Sequence, residues 1–108
     1  MKTIMLVCAA GMSTSLLVTK MEKAAAEKGL DAKIFAVAAS EAETKIANEK
    51  IDVLLLGPQV RYMQNDFKKK LAGRNNGADI PLAVIDMRAY GMMDGAAVVT
   101  QAYELMGK

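Results

Sequence analysis

The stretch that decides the fold spans residues 4–18 and reads IMLVCAAGMSTSLLV. Its first four residues are apolar and lead directly to Cys8, a pattern typical of a buried strand that ends at the cysteine. A loop of small and hydroxyl-bearing residues follows, and apolar residues then recur at helical spacing up to Gly29, a common helix terminator. The stretch therefore predicts a strand, a tight loop and a helix over 13–28.

The rest of the chain repeats this alternation. Apolar runs at 32–37, 51–57 and 82–86 predict three more strands, and helical spacing predicts helices over 40–50, 59–72 and 94–106, the second of them broken near Asn65. Ser40 with Glu43 three residues later predicts a capping box. Unbroken apolar strands that alternate with helices indicate an α/β, three-layer fold. We expect a four-stranded parallel sheet of order 2-1-3-4 with helices on both faces.

Size and composition limit the classes of protein. A chain of 108 residues with 53% hydrophobic residues predicts a single domain over 1–108. A net charge of +2 without a large basic cluster argues against nucleic-acid binding. No apolar run approaches the roughly 20 residues of a membrane span, so we expect no stable membrane insertion. One cysteine and no histidine exclude an internal disulfide and a Cys/His zinc site, and favour a cytoplasmic location.

The cysteine marks a candidate site. In a parallel sheet of this order, ligands bind beyond the carboxyl ends of strands one and three, which here are Cys8 and Gly57. The loop after Cys8 leads into a helix whose first N–H groups are unpaired and carry a positive dipole end, so it suits a phosphate-sized anion. The same groups would stabilise a thiolate that attacks phosphorus. Two simpler interpretations remain open: Cys8 is a small core residue, and the hydroxyls only cap the helix.

Several familiar chemistries are excluded by the motifs. The chain contains neither G-x-x-x-x-G-K-[ST] nor G-x-G-x-x-G, so the usual nucleotide-binding loops are absent. Without histidine there is no Ser–His or Cys–His pair. A response-regulator receiver would need an acidic cluster after strand one and an aspartate after strand three, where this chain has Cys8 and Gly57.

Three segments carry a family resemblance. CAAGMSTSLLV, LLGPQVRYM and VIDMRAYGMMDG resemble the lactose/cellobiose-type enzyme IIB of the bacterial sugar phosphotransferase system, over essentially the whole chain. The resemblance implies a phosphoryl carrier. Enzyme IIA would donate the phosphoryl group from a phosphohistidine, Cys8 would hold it, and sugar bound in the membrane protein enzyme IIC would receive it. We also expect a cytoplasmic monomer that needs no metal or organic cofactor, because phosphoryl transfer requires mostly positioning and charge stabilisation.

The same resemblance assigns the remaining site residues. The phosphate cradle would comprise Ala9, Ala10, Gly11, Met12, Ser13, Thr14 and Ser15. Gly57, Pro58 and Gln59 would line the neighbouring edge, with Tyr62 near the same opening. The chain itself does not select the sugar. The family favours a β-linked disaccharide such as cellobiose, chitobiose or lactose.

Two alternatives stay open at this point. The loop is also similar to the C-x5-R-[ST] loop of low-molecular-weight tyrosine phosphatases, but Thr14 stands at the arginine position and Ser15 at the hydroxyl position. Losing the bidentate arginine disfavours a phosphatase, and the absence of further cysteines disfavours an arsenate reductase. The other alternative is a non-enzymatic anion-sensing adaptor in which Cys8 never reacts.

Supporting residues around the loop have simple structural interpretations too. Gln59 would bond either a phosphoryl oxygen, the loop or its own backbone. Asp86 is expected to cap the turn that follows it, and Tyr90 with Gly91 to form a packed turn. Methionines near the loop would form an adaptable docking rim; they are Met12, Met63, Met92 and Met93.

Overall fold

The fold is taken from a computed structural model, which describes residues 2–8, 12–73, 77 and 79–106; the side chains of residues 12–14 are outside that description. The strands are β1 (Lys2–Cys8), β2 (Ala32–Ala38), β3 (Val53–Leu56) and β4 (Leu82–Val84). The α-helices are α1 (Met12–Glu27), α2 (Ala39–Asn48), α3 (Gln64–Leu71), α4 (Met87–Gly91) and α5 (Gly95–Leu105). A 3₁₀ helix, Pro58–Met63, lies between β3 and α3.

The four strands form one parallel sheet of order β2-β1-β3-β4. Strand β1 is central, with Val7 opposite Val37 of β2 on one side and Leu56 of β3 on the other. The predicted fold class and strand order are therefore confirmed. The carboxyl ends of all four strands lie at one edge of the sheet, here called the carboxyl edge.

Alternate residues of β1 point to opposite faces of the sheet, as the pleat requires. Ile4 and Leu6 belong to a buried cluster with α1 and α5, whereas Met5 and Val7 belong to a second cluster with α2 and α3. Because both faces are covered, β1 is buried from Ile4 to Cys8 and β3 from Val53 to Leu56, and these stretches are unbroken apolar runs. The outer strands β2 and β4 are largely half-buried. Because α1, α2, the 3₁₀ helix and α4 each follow a strand of the parallel sheet, these helices begin near the carboxyl edge.

Three local predictions differ from the structure. The capping box at Ser40 is wrong, because α2 already begins at Ala39 and its N-cap, Ala38, makes no side-chain cap bond. The helix predicted over 59–72 is a 3₁₀ helix followed by α3, with the junction at Met63 and Gln64. The residues around Tyr90 form a short helix, α4, rather than a turn.

Helix length also bears on membranes. Within the described part of the chain, no helix is both long enough and apolar enough to cross a bilayer.

Candidate functional site

Cys8 and Gly57 lie side by side at the carboxyl edge. Cys8 is the last residue of β1, and the Gly57 N–H donates to the Val7 carbonyl at 2.8 Å, which continues the β1–β3 pairing past the end of β3. A β-carbon at Gly57 would lie 3.7 Å from Cβ of Cys8 and 3.4 Å from the Val7 oxygen. These are ordinary van der Waals distances, so Gly57 and Cys8 are in contact at this edge.

The Cys8 thiol is buried. Only 2% of the residue is exposed, and Sγ lies 3.8 Å from the Val37 carbonyl oxygen, within the reach of a weak S–H···O bond. Burial of this kind fits the interpretation of Cys8 as a packed core residue, whereas its place at the end of β1 fits the interpretation as a site. Any reaction at Sγ requires that the thiol first be uncovered.

The predicted cradle lies only partly within the described residues. Ala9, Ala10 and Gly11 lie outside them, as do the side chains of Met12, Ser13 and Thr14. The backbone of α1 begins at Met12, four residues after Cys8, and its first turn contains no acidic residue. The positive dipole end of α1 is thus close in sequence to the thiol, with no carboxylate in the first turn to repel an anion.

Ser15 is the one cradle residue with a described side chain. It is exposed on the first turn of α1. Its carbonyl oxygen accepts a hydrogen bond from Oγ1 of Thr19 at 3.2 Å.

The 3₁₀ helix after β3 carries the predicted supporting residues. Gly57 is its N-cap and Pro58 occupies the first turn, where proline's fixed φ and missing N–H are tolerated. Val60 anchors the segment because its side chain is buried against α2, α3 and the sheet. Tyr62, in contrast, is 79% exposed, so it lies on the surface of this segment and not in the core.

Gln59 makes a contact that the sequence did not predict. Its Nε2 donates to the Tyr90 hydroxyl at 3.2 Å, and its Oε1 lies 3.1 Å from the point that a β-carbon of Gly57 would occupy. The carboxamide therefore spans from α4 to the Cys8–Gly57 pair. Neither of the predicted partners, the loop or the backbone of Gln59 itself, is its described partner.

Helix α4 holds Tyr90 in place. Asp86 caps α4, as predicted, with Oδ2 accepting from the Ala89 N–H at 3.0 Å. Gln101 of α5 links that helix to the end of β4 and the start of α4. Its Oε1 accepts from the Asp86 N–H at 3.3 Å, and its Nε2 donates to the Val84 carbonyl at 3.0 Å. The Tyr90 ring packs against the cluster beneath α1 and α5.

Exposed apolar side chains lie on the segments that begin at this edge. The large hydrophobic residues that are exposed in the described chain are Leu16, Tyr62, Met87 and Met92. Each belongs to α1, the 3₁₀ helix or α4, or directly follows α4, and all three helices begin at the carboxyl edge. We call these four residues the apolar rim.

The rim differs in part from the methionine rim predicted above. Met92 is in it, whereas Met63 and Met93 are half-buried and pack against the two core clusters. The side chain of Met12 lies outside the described residues. The rim is therefore a mixed set of leucine, tyrosine and methionine.

Comparison with known proteins decides the family. The family model for the lactose/cellobiose-specific IIB subunit of the PTS (phosphotransferase system) matches residues 3–101. This chain belongs to that family. Its expected membership, drawn above from three short segments, is confirmed.

Relatives of this IIB family chain match it along nearly its full length. A galactose-specific EIIB component from Lactococcus lactis subsp. cremoris is 50% identical over 97% of this chain and 96% of the relative. A cellobiose-specific EIIB component from Lactococcus lactis subsp. lactis is 49% identical over the same shares. An oligo-beta-mannoside-specific EIIB component from Bacillus subtilis is 43% identical over 98% and 97%. The chain is thus an EIIB component of a sugar phosphotransferase system.

Solved structures agree with the fold of the IIB family. The cellobiose-specific IIB component from Borrelia burgdorferi superposes with a TM-score of 0.74 at 34% identity, covering 98% of this chain and 92% of the other. A lactose-specific IIB component domain from Streptococcus pneumoniae superposes with a TM-score of 0.77, covering 95% of each chain. At 14% identity the second likeness concerns the fold alone.

Tyr90 is the site residue that sequence reasoning missed. A signal was present, since Tyr90 follows Asp86 by four residues and Asp86 follows strand four, so the ring had to lie near the carboxyl edge with Gln59. The Tyr-Gly dipeptide instead indicated a turn, and a turn gave no reason to place a hydroxyl beside Gln59.

Proposed function

We propose that this EIIB component is a cytoplasmic phosphoryl carrier in which Cys8 forms the phosphocysteine. The observation that carries the proposal is the position of Cys8, which ends the central strand beside Gly57 and four residues before the start of α1. Ligands of open parallel sheets bind at such an edge, and the start of α1 supplies N–H donors and a positive dipole end for an anion.

The first step takes the phosphoryl group from enzyme IIA. The Cys8 sulfur attacks phosphorus of the phosphohistidine; the S–P bond forms as the N–P bond breaks, and the electron pair of that bond stays on the imidazole nitrogen. In net terms the proton of the thiol ends on the imidazole. Phosphoryl transfer of this kind depends mainly on positioning and on stabilising charge on the equatorial oxygens, which the amides of residues 12–15 would provide.

The second step delivers the group to sugar in enzyme IIC. A sugar hydroxyl oxygen attacks phosphorus, the S–P bond breaks, and its electron pair returns to the cysteine sulfur. The hydroxyl proton balances the thiolate, so Cys8 ends as the thiol. The relatives named for cellobiose and for oligo-beta-mannosides support a β-linked sugar such as cellobiose, chitobiose or lactose as the substrate, whereas the relative named for galactose is named for a monosaccharide.

Burial of the thiol is part of this proposal. A carrier has to keep its phosphoryl group away from water until an acceptor docks, and Cys8 at 2% exposure is shielded in the resting chain. We propose that docking of enzyme IIA against the apolar rim accompanies the movement of Sγ away from the Val37 carbonyl. The rim suits this because apolar, adaptable side chains allow one surface to fit two partners.

A non-enzymatic anion-binding adaptor is the second candidate, and the same burial of Cys8 is the observation that favours it. In that case the start of α1 would bind an anion while the thiol stays a core residue. A phosphatase fits less well, because Thr14 occupies the position of the arginine that clamps the transferred group in such enzymes.

Mass spectrometry of the intact chain separates these functions. The chain is incubated with the general phosphotransferase proteins, a lactose/cellobiose-type enzyme IIA and phosphoenolpyruvate. A carrier gains one phosphate and Cys8→Ser gains none, while Thr100→Ala, which removes an exposed hydroxyl of α5 outside the site, still gains it. No gain in the unmodified chain supports the adaptor. If Cys8→Ser also gains a phosphate, the acceptor is another residue and the proposed role of Cys8 is overturned. Rapid loss of the phosphate to water supports a phosphatase.

A further inference from the structure

We infer that Tyr90 is a positioning residue for phosphoryl transfer, acting through the carboxamide of Gln59. This inference rests on the proposed function of Cys8. Its structural basis is a chain of contacts from α4 to the end of β1: the Tyr90 hydroxyl meets Gln59 Nε2 at 3.2 Å, and Gln59 Oε1 lies over Gly57 beside Cys8.

Gln59 and Tyr90 differ in how firmly their side chains are held. Gln59 is an exposed side chain on a 3₁₀ helix, and its carboxamide lies at the end of several rotatable bonds. Tyr90 is half-buried, and its ring packs against the core beneath α1 and α5. The rigid partner therefore orients the mobile one, so the Tyr90 hydroxyl determines the direction of the Gln59 amide.

Orientation matters because of the chemistry of a primary amide. Its NH2 group has two hydrogens, and its oxygen is an acceptor. When the Tyr90 hydroxyl accepts one of the Gln59 amide hydrogens, the plane of the amide is fixed. The directions of the second hydrogen and of Oε1 are then fixed as well. A donor that is fixed before the reaction stabilises charge on the phosphoryl oxygens better than one that must be ordered during it. Gln59 then contributes to transfer only while Tyr90 holds it.

Hydrogen bonds hold α4, which carries Tyr90, in a fixed position. Asp86 caps α4, and Gln101 bonds both the Asp86 N–H and the Val84 carbonyl. These bonds tie α4 to the end of β4 and to α5. Because β3 and β4 are neighbours in the sheet, the Gln59–Tyr90 bond crosses between the segments that follow two adjacent strands and keeps them in register at the carboxyl edge.

A double-mutant cycle tests the inference. The rate constant for phosphoryl acceptance from phosphorylated enzyme IIA is measured for the unmodified chain, Tyr90→Phe, Gln59→Ala and the double variant. Loss of one net hydrogen bond predicts a decrease of about fivefold in Tyr90→Phe. In the Gln59→Ala background, Tyr90→Phe should cause no further decrease. Tyr103→Phe, which removes a phenol hydroxyl on α5 away from this edge, is the matched control and should leave the rate unchanged.

Side-chain amide resonances test the Tyr90–Gln59 bond itself, while the rates in the two backgrounds test its role in transfer. The chain has three glutamines, Gln59, Gln64 and Gln101, so their NH2 signals are readily assigned by NMR. Tyr90→Phe should shift the Gln59 pair and leave those of Gln64 and Gln101 in place, with the thermal midpoint of unfolding recorded alongside.

The outcomes are distinct. Equal rate losses from Tyr90→Phe in both backgrounds, or an unshifted Gln59 signal, overturn the inference while leaving the proposed function intact. If the chain accepts phosphate at Cys8 at the same rate with and without the Tyr90 hydroxyl, the inference is likewise overturned and the proposed function stands. An unmodified chain that takes no phosphate overturns the proposed function, and the role of Tyr90 in transfer with it.

Discussion

Gly95 of α5 lies directly against the backbone of Lys20 in α1. A β-carbon at Gly95 would be 2.4 Å from the Lys20 carbonyl carbon and 2.6 Å from both the Lys20 oxygen and the Met21 nitrogen. These distances are well inside van der Waals contact, so only glycine permits the two helices to approach this closely. Since α1 begins four residues after Cys8, the contact also constrains the helix that follows the candidate cradle.

Replacing Gly95 by alanine should therefore destabilise the protein. The methyl group meets main-chain atoms that cannot turn aside, so α1 and α5 must separate, at a cost of about 1–3 kcal/mol. For a chain of this size each kcal/mol lowers the thermal midpoint by roughly 4–8 °C. The measurement is thermal unfolding followed by circular dichroism.

Gly91→Ala is the matched control for Gly95→Ala. A β-carbon at Gly91 would have no heavy atom within 4 Å, and the residue is exposed at the end of α4. The midpoint should stay the same or rise slightly, because alanine restricts the unfolded chain more than glycine does. Equal midpoints for both variants would contradict the close helix contact.

Gly57→Ala should change the geometry of the site while leaving the stability of the fold nearly unchanged. The backbone at Gly57, with φ of −62° and ψ of 151°, is open to alanine, and the closest atom, Oε1 of Gln59 at 3.1 Å, belongs to a flexible side chain. Gln59 should give way, so the midpoint changes by no more than the equivalent of about 1 kcal/mol. The Gln59–Tyr90 bond should weaken, and phosphoryl acceptance should slow. A large loss of stability would show that the Val7 carbonyl, at 3.4 Å, is the real obstacle.

Alkylation should report the burial of Cys8. At 2% exposure the thiol should react with iodoacetamide at least about tenfold more slowly in the native protein than in denaturant, because buried thiols are inert until the structure opens. As the only cysteine, it gives a single labelled species by mass spectrometry. Equal rates in the two conditions would place the thiol at the surface.

Glu49 should make stability depend on pH. Hydrogen bonds from the ammonium groups of Lys33, at 2.8 Å, and Lys45, at 3.2 Å, hold the pKa of this carboxyl below its ordinary value. A carboxyl whose pKa is lower in the folded than in the unfolded state stabilises the fold above the unfolded pKa, and this contribution is lost as pH falls through the folded pKa.

Glu49→Gln should accordingly lower the thermal midpoint at pH 7, with a difference from the unmodified chain that disappears in acid. The effect should be modest and decrease with added salt, since the ion pairs are partly exposed. Glu22→Gln, which removes an exposed carboxylate of α1, is the control. A difference that stays constant from pH 7 to acid would contradict a role for the carboxylate charge.

The apolar rim should matter for partners and not for folding. Tyr62 and Met92 are 79% and 70% exposed, so changing both to serine removes little buried area and should leave the midpoint nearly unchanged. Phosphoryl acceptance from enzyme IIA should require a higher IIA concentration. Ala26→Ser, on an exposed position of α1, is the control. An unaltered concentration dependence in the rim variant would exclude the rim from IIA docking.

Local sequence patterns determined much of this protein. The four apolar runs predicted all four strands and their order, because a strand buried on both faces leaves a continuous apolar signature and parallel crossovers permit few topologies. The cap at Asp86 and the end of β1 at Cys8 were also predicted correctly, because each depends on residues nearby in the sequence. The same patterns located Cys8 and Gly57 at one edge of the sheet, where they do lie.

Tertiary structure alone decided what depends on residues far apart in the chain. The Ser40 capping box was wrong because α2 starts directly after β2, whose end is set by pairing with β1 and not by a cap. Contact between Gly95 and Lys20, the bond between Gln59 and Tyr90, and burial of the Cys8 thiol beneath the Val37 carbonyl each join distant segments. These distances are fixed by how the strands and helices pack together in three dimensions, and no periodicity along a single segment carries that information.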